Sequence, residues 1–252
     1  MAQTILITGA TSGFGRAAAR LFGRSGWRLL LAGRRTDRLL ELAADLGGVT
    51  SVLTIPLDVR DRAAVFDRIE RLPADWRDID VLVNSAGLAL GLEPADRADL
   101  EDWETMVDTN VKGLLYVTRA ILPGMRARNR GHVVNVGSVA GAWPYPGGNA
   151  YGATKAFVAQ FSRNLRADLA GTAVRVTNIE PGLAETEFSL VRFHGDGERA
   201  SAVYKNTTPL SAEDIAGIIH WVVTLPAHIN VNSLEVMPTC QTWGPLAIHR
   251  GG

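Results

Sequence analysis

The feature that most limits how this 252-residue chain can fold is a repeated alternation of short apolar runs with longer amphipathic stretches. The runs "TILITGA", "WRLLLAG", "SVLTIPLDV", "DVLVNSAG", "HVVNVGS", "VRVTNIEPG" and "SLEVMP" are rich in β-branched residues or leucine, and they read as seven strands. Between them, helical patterns lie near residues 14–25, 36–46, 61–71, 100–128, 150–169 and 211–225. A strand that is apolar throughout needs cover on both faces, and an intervening helix makes successive strands parallel. The expectation is an α/β fold: one Rossmann-like domain over residues 1–252, a doubly wound sheet of about seven parallel strands with helices on both faces and right-handed crossovers. Ligands of such sheets sit at the carboxyl ends of the strands, where the strand order reverses. The segment 183–209, with Gly195, Gly197 and Pro209, breaks the alternation. Its length suits a substrate lid or a plain surface insertion.

Charge narrows the partners. Lys and Arg total 26, Asp and Glu total 26, and no basic run stands out, so neither nucleic acid nor a membrane surface is expected as a partner. A small molecule is. No apolar run approaches the roughly 18 residues needed to span a bilayer. The lone Cys240 cannot form an internal disulfide, and the N-terminus enters a strand directly, without a charged leader region, so cytoplasmic localisation is expected. No metal is expected at the site.

The loop "TGATSGFG" follows the first strand and opens the first helix. Gly9, Gly13 and Gly15 allow a sharp turn and a close approach of phosphate to the backbone amides, and Thr11, Ser12 and Phe14 complete the loop. Its spacing is G-x-x-x-G-x-G, rather than the G-x-G-x-x-G of many dinucleotide sites. After the second strand come Arg34 and Arg35, where a free ribose 2′-hydroxyl would usually meet an Asp or Glu. Two guanidiniums suit a 2′-phosphate, so the expected cofactor is NADP. Asp58 and Val59, after the third strand, and Asn84, Ala86 and Gly87, at the end of the fourth, are placed to meet adenine and ribose.

In "GGNAYGATKAF", Tyr151 and Lys155, one of three lysines, are four residues apart on a helical pattern and so share a face. A nearby ammonium stabilises phenolate and draws a phenol down from near 10 toward the range useful for proton transfer. Ser138, just past the fifth strand, can hold a substrate oxygen beside Tyr151.

Taken in order, "TGATSGFG", "NSAG", Asn110 in "DTNVKG", Ser138, and Tyr151 with Lys155 resemble the short-chain dehydrogenase/reductase family across essentially the whole chain. The resemblance implies a catalytic tetrad of Asn110, Ser138, Tyr151 and Lys155. Tyr151 would be the acid or base, Ser138 would orient the carbonyl, Lys155 would bind ribose and tune the tyrosine, and Asn110 would hold a relay water. "PGLAET" matches the family's P-G-x-x-x-T, which implies that Pro181, Gly182 and Thr186 bracket the nicotinamide. Ser85 stands where the family often has a second Asn.

"GLALGLEPA", "EDWETMVDTN", "VAGAWPYPGGNAYGATKAF" and "TAVRVTNIEPGL" are similar to the NADP-dependent 3-hydroxy acid dehydrogenases of the serine/allo-threonine type, which are themselves similar to sulfoacetaldehyde reductases. The implied substrate is a small anionic hydroxy acid or aldehyde, and the implied assembly a homotetramer. Candidate anion partners are Arg192, His194, Asn149 and Arg250. The tail 238–252, with Trp243, Leu246 and Ile248, is expected to pack on a neighbouring subunit near its pocket. A non-catalytic NADP sensor and a reductase of bulkier carbonyls are the rival readings.

Overall fold

The structure, a computed structural model, describes residues 2–244. The strands are β1 (Thr4–Thr8), β2 (Arg28–Gly33), β3 (Val52–Pro56), β4 (Val81–Asn84), β5 (Gly131–Val136), β6 (Val174–Pro181) and β7 (Ser233–Val236). They form one sheet in the order β3-β2-β1-β4-β5-β6-β7, and every pairing is parallel. The order reverses between β1 and β4.

Strand residues alternate between two cores. Ile5 and Ile7 of β1, Leu29 and Leu31 of β2, and Val81 and Val83 of β4 face one core. Their neighbours Leu6, Leu30 and Leu82 face the other. The first core is covered by α1 (Gly13–Arg24), α2 (Thr36–Gly47) and α9 (Ala212–Thr224), which insert Phe22, Leu42 and Ile219. The second is covered by α3 (Arg62–Glu70), α5 (Leu114–Ala127) and α6 (Asn149–Asp168), which insert Val65, Ile121 and Leu165. Each such fully buried side chain contributes about 1.5–3 kcal/mol of transfer free energy. Helix starts are written locally: Asp61 accepts from Ala64 N, and Ser211 and Asp214 form a capping box at α9.

Two elements differ from the sequence pattern. The stretch 100–128 is not one regular helix: α4 (Leu100–Val107) passes through a π-helical turn, Asp108–Gly113, into α5. Apolar spacing cannot register a one-residue widening of this kind. The segment 183–209 carries two short helices, α7 (Phe188–Arg192) and α8 (Gly197–Ala202). Among the described residues no helix is long and apolar enough to cross a membrane.

Candidate active site

A cavity of about 1160 Å³ opens at the carboxyl ends of the strands, beside the β1/β4 reversal. Its floor at one end is the loop from β1 to α1, with Gly9, Thr11, Ser12, Gly13 and Phe14 all exposed to it. Gly9 has φ +67°, and a Cβ there would stand 2.9 Å from the Ala86 backbone. Gly15 does not line the cavity. It lies under the loop, where a Cβ would meet the Gly9 carbonyl at 2.5 Å, so only glycine permits this loop to fold onto its own helix. Ser12, the residue before α1, makes no side-chain cap, and the first turn of α1 has no acidic residue. The first amide groups of a twelve-residue helix thus face the cavity beside a bare glycine loop, which suits a pyrophosphate.

Arg34, Arg35, Asp58, Val59, Ala86 and Gly87 line the adjoining wall. Arg35 donates from Nε and Nη2 to Thr11 Oγ1 at 3.2 and 3.1 Å. Asp58 is held by Arg60, with an Nη2–Oδ2 separation of 2.6 Å. The long cavity, the glycine cradle and the arginines fit a dinucleotide that bears a ribose 2′-phosphate.

Asn84 is a correction. It lies inside the fold rather than on the cavity wall, and its Nδ2 donates to Thr118 Oγ1 at 3.0 Å and to Asn135 Oδ1 at 2.9 Å. As the last residue of a central strand it points into the sheet's second face, and a pattern of apolar strand residues does not announce one buried carboxamide.

At the other end, Ser138, Tyr151, Pro181, Gly182, Thr186 and Arg192 line the cavity. Tyr151 is 8% exposed and packs with Leu88, Ala89 and Met106. Lys155 follows one turn along α6, buried just beneath the cavity wall. Its Nζ donates to the Val136 carbonyl at 2.8 Å and stands 5.8 Å from the centre of the Tyr151 ring. Burial pushes the Tyr151 phenol up to about 12, against the opposing pulls of the Ser138 hydroxyl and the Arg192 guanidinium. Lys155 itself is pushed down to about 8 by burial. The expectation that Lys155 draws the phenol down is therefore not met by the protein's own groups: the ammonium is turned to Val136, and desolvation of the phenolate dominates.

Asn110 sits in the π-helical turn, 2% exposed. Its Oδ1 accepts from Leu88 N at 2.9 Å, while Nδ2 donates to Leu88 O at 2.8 Å and to Thr154 Oγ1 at 3.0 Å. Both amide hydrogens are used, so the carboxamide clamps the loop after β4 onto α6 instead of presenting a free donor to water. Gly87 permits this approach, since a Cβ there would meet Asn110 Oδ1 at 3.2 Å and Lys155 Nζ at 3.5 Å.

Of the candidate anion partners within the described residues, Arg192 alone reaches the cavity beside the tyrosine. Its Cζ stands 5.1 Å from the Tyr151 ring and 5.2 Å from that of Phe188. Its Nη2 donates to Tyr145 Oη at 2.7 Å, and its buried Nε has no partner among the described residues. Asn149 and His194 line a smaller cavity of about 210 Å³ behind it. Asn149 donates to Glu93 O at 3.1 Å, and His194 Nε2 pairs with Asp102 Oδ2 at 3.1 Å. Both therefore serve loop packing, which spacing along the chain cannot distinguish from pocket lining. Arg250, Leu246 and Ile248 fall outside the described residues.

Several contacts at the cavity carry no motif. Arg38 meets Glu187, a residue of the cavity lining, at 2.7 Å; "RRTDR" contains Arg38, but nothing in the sequence pairs it with residue 187. Trp143 and Trp243 donate from Nε1 to the two oxygens of Glu235 at 2.7 and 3.0 Å. Gln241 Oε1 accepts from Leu183 N at 2.6 Å. The start of the tail packs against its own chain's cavity, where Glu235 on β7 gives the two indoles a partner within reach, and the rest of the tail lies outside the described residues.

The model of the short chain dehydrogenase family matches residues 3–195. The chain belongs to that family, whose members are oxidoreductases. It is 62% identical over 247 residues to the NADP-dependent 3-hydroxy acid dehydrogenase YdfG of Salmonella typhi, covering 98% of this chain and 99% of that protein. It is 57% identical to sulfoacetaldehyde reductase 2 of Chromohalobacter salexigens, covering 99% and 100%. A solved structure, the closed form of serine dehydrogenase complexed with NADP⁺, superposes with a TM-score of 0.96 at 57% identity, covering 99% of this chain and all of that one.

Proposed function

We propose that the protein is an NADP(H)-dependent oxidoreductase that interconverts a small 3-hydroxy acid, such as L-serine, L-allo-threonine or 3-hydroxypropionate, with its 3-oxo acid or semialdehyde. The carrying observation is the Arg192 guanidinium, which lines the cavity with its Cζ 5.1 Å from the centre of the Tyr151 ring. An anion held there places a carbon two bonds away beside the phenol, as the 3-hydroxy acid geometry requires.

The bound nicotinamide supplies or accepts the hydride. The chain's residues do the rest. Tyr151 exchanges the proton with the substrate oxygen, and its raised phenol makes it a neutral donor at physiological pH. Ser138 Oγ, held near the Pro181 carbonyl at 3.5 Å and capping Ala140 N at 3.1 Å, orients that oxygen. Lys155 and Asn110 position α6 and the loop after β4 around it. Thr11, Ser12, Gly13, Arg34 and Arg35 bind the phosphates, Pro181, Gly182 and Thr186 bracket the nicotinamide, and segment 183–209 serves as the lid. A homotetramer in the cytoplasm is the proposed working form, supported by the exposed edge strand β7 and by Phe157 stacked on Phe161 at the surface of α6.

The 57% identity to a sulfoacetaldehyde reductase favours a second reading, in which the anion is a sulfonate. Measuring kcat/KM on matched carboxylate, sulfonate and uncharged aldehydes separates the two. Preference for the carboxylate by tenfold or more is expected, on the order of one charge-assisted hydrogen bond. Equal rates on the uncharged aldehyde would overturn anion recognition altogether.

A further inference from the structure

Glu187 joins the segment 183–209 to the arginines after β2. Its two carboxylate oxygens accept from Arg38 Nη1 at 2.7 and 2.8 Å, and Oε2 also accepts from Arg35 Nη1 at 2.9 Å. Arg35 is braced from behind by Thr11 Oγ1. Burial works to raise the carboxyl, yet the two guanidiniums outweigh it and keep it ionised. The contact joins the first turn of α2 to the residue preceding α7, with Arg35 and Glu187 both lining the cavity.

The neighbours of Glu187 reach the chemistry. Thr186 lines the cavity, and Phe188 packs on the Tyr151 ring at 5.5 Å. Arg192 lies one turn further along. Holding Glu187 therefore holds the face of the lid that meets Tyr151.

The electrostatics allow a carboxylate and a phosphate to share this cluster. Arg35 and Arg38 pair with Glu187, while Arg34 acts on Asp58, which Arg60 already pairs, so four arginines stand against two carboxylates and leave two positive charges, close to the charge of a phosphate monoester at neutral pH, about −1.5 to −2. Arg34 makes no side-chain hydrogen bond among the described residues, and Arg38 uses only Nη1. Donors remain for the phosphate while the pair stays closed.

We propose that Glu187, Arg35 and Arg38 form an ionic latch that holds the lid over NADP(H), making Arg38 and Glu187 positioning residues that determine cofactor residence. The inference rests on the cofactor and lid readings above. The pairs are partly exposed, 41% for each arginine and 35% for Glu187, so the effect is moderate and salt-sensitive.

The test is stopped-flow release of NADPH from the full-length protein, followed by its fluorescence, with tryptic cleavage of segment 183–209 as a second readout. Glu187→Gln and Arg38→Gln should each release NADPH about two- to fivefold faster and lose the protection that NADPH confers. Glu187→Asp should fall between. The double variant should be no faster than Glu187→Gln alone, because losing the carboxylate already removes its pair with Arg38. Unchanged release, or additive effects in the double variant, overturns the latch. Slower release from Glu187→Gln also overturns it, since that marks a carboxylate competing with the phosphate. A wild-type protein that fails to bind NADPH overturns the cofactor reading and the latch together, whereas normal wild-type binding with unaltered Glu187→Gln release overturns the latch alone.

Discussion

Lys155 donates to the Val136 carbonyl at 2.8 Å, holding an ammonium group between helix and sheet where the residue is 7% exposed. Burial pushes it from 10.5 down to about 8, so the folded state disfavours the proton that the unfolded chain retains. The penalty is complete below pH 8 and disappears as pH rises through about 10.5. A gap of that size corresponds to ~3 kcal/mol, offset by a charge-assisted hydrogen bond contributing about 1.5 kcal/mol. Lys155→Met should therefore stabilise the protein by about 1–2 kcal/mol at pH 7 while removing activity, with the gain shrinking near pH 10. Urea denaturation at both pH values measures it. A variant less stable than wild type at pH 7 would contradict the account.

Tyr151 predicts a pH asymmetry between the two directions of reaction. A phenol pushed up to about 12 is fully protonated at neutrality, so it can donate but seldom accept. Carbonyl reduction should be nearly flat from about pH 6 to 9, while alcohol oxidation should climb by up to tenfold per unit over the same range. Tyr151→Phe should lower kcat about a thousandfold in both directions and leave NADPH affinity within about twofold. Initial rates and a fluorescence titration check the pair of statements; a bell centred near pH 7 in both directions would be inconsistent with them.

The strand pattern carried the architecture because parallel strands buried on both faces must be apolar throughout, and the glycine loop carried the phosphate end because "TGATSGFG" follows the first of those strands. Tyr151 and Lys155 were legible as a pair because helical geometry converts a spacing of four into a shared face. What that spacing cannot give is where the ammonium points: Val136 is 19 residues away, on another element. Glu187 and Arg38 are 149 residues apart and meet only because the residue before α7 comes against the first turn of α2. Asn84, Asn149 and His194 were placed by proximity along the chain to real cavity residues, and each is drawn off by a partner that only tertiary packing supplies.

Asn84 gives that distinction a measurement. Its amide bridges Thr118 and Asn135, which in turn donates to Ser162 Oγ at 2.9 Å, forming a buried polar chain from β4 through β5 to α6. Asn84→Ala leaves buried acceptors unpaired, which costs about 1–3 kcal/mol. The Tm should fall by several degrees with NADPH affinity nearly unchanged. A large loss of cofactor affinity at unchanged Tm would restore Asn84 to the binding wall.

Arg192 separates anion recognition from chemistry. Its guanidinium lines the cavity, oriented by the Tyr145 hydroxyl and by the Phe188 and Tyr151 rings. Arg192→Met keeps an unbranched apolar side chain and removes the guanidinium, with its charge and its hydrogen bond to Tyr145. For a carboxylate substrate kcat/KM should drop about ten- to a hundredfold, chiefly through KM, as expected when a hydrogen bond to a charged group is lost. For an uncharged aldehyde of similar size it should change by less than about threefold. Tyr145→Phe removes the brace but not the charge, so its effect on the carboxylate should have the same sign and be smaller. Equal losses on charged and uncharged substrates in Arg192→Met would mean that the guanidinium supports the lid or the phenol and does not bind the anion, and the substrate class would then have to be argued from another residue.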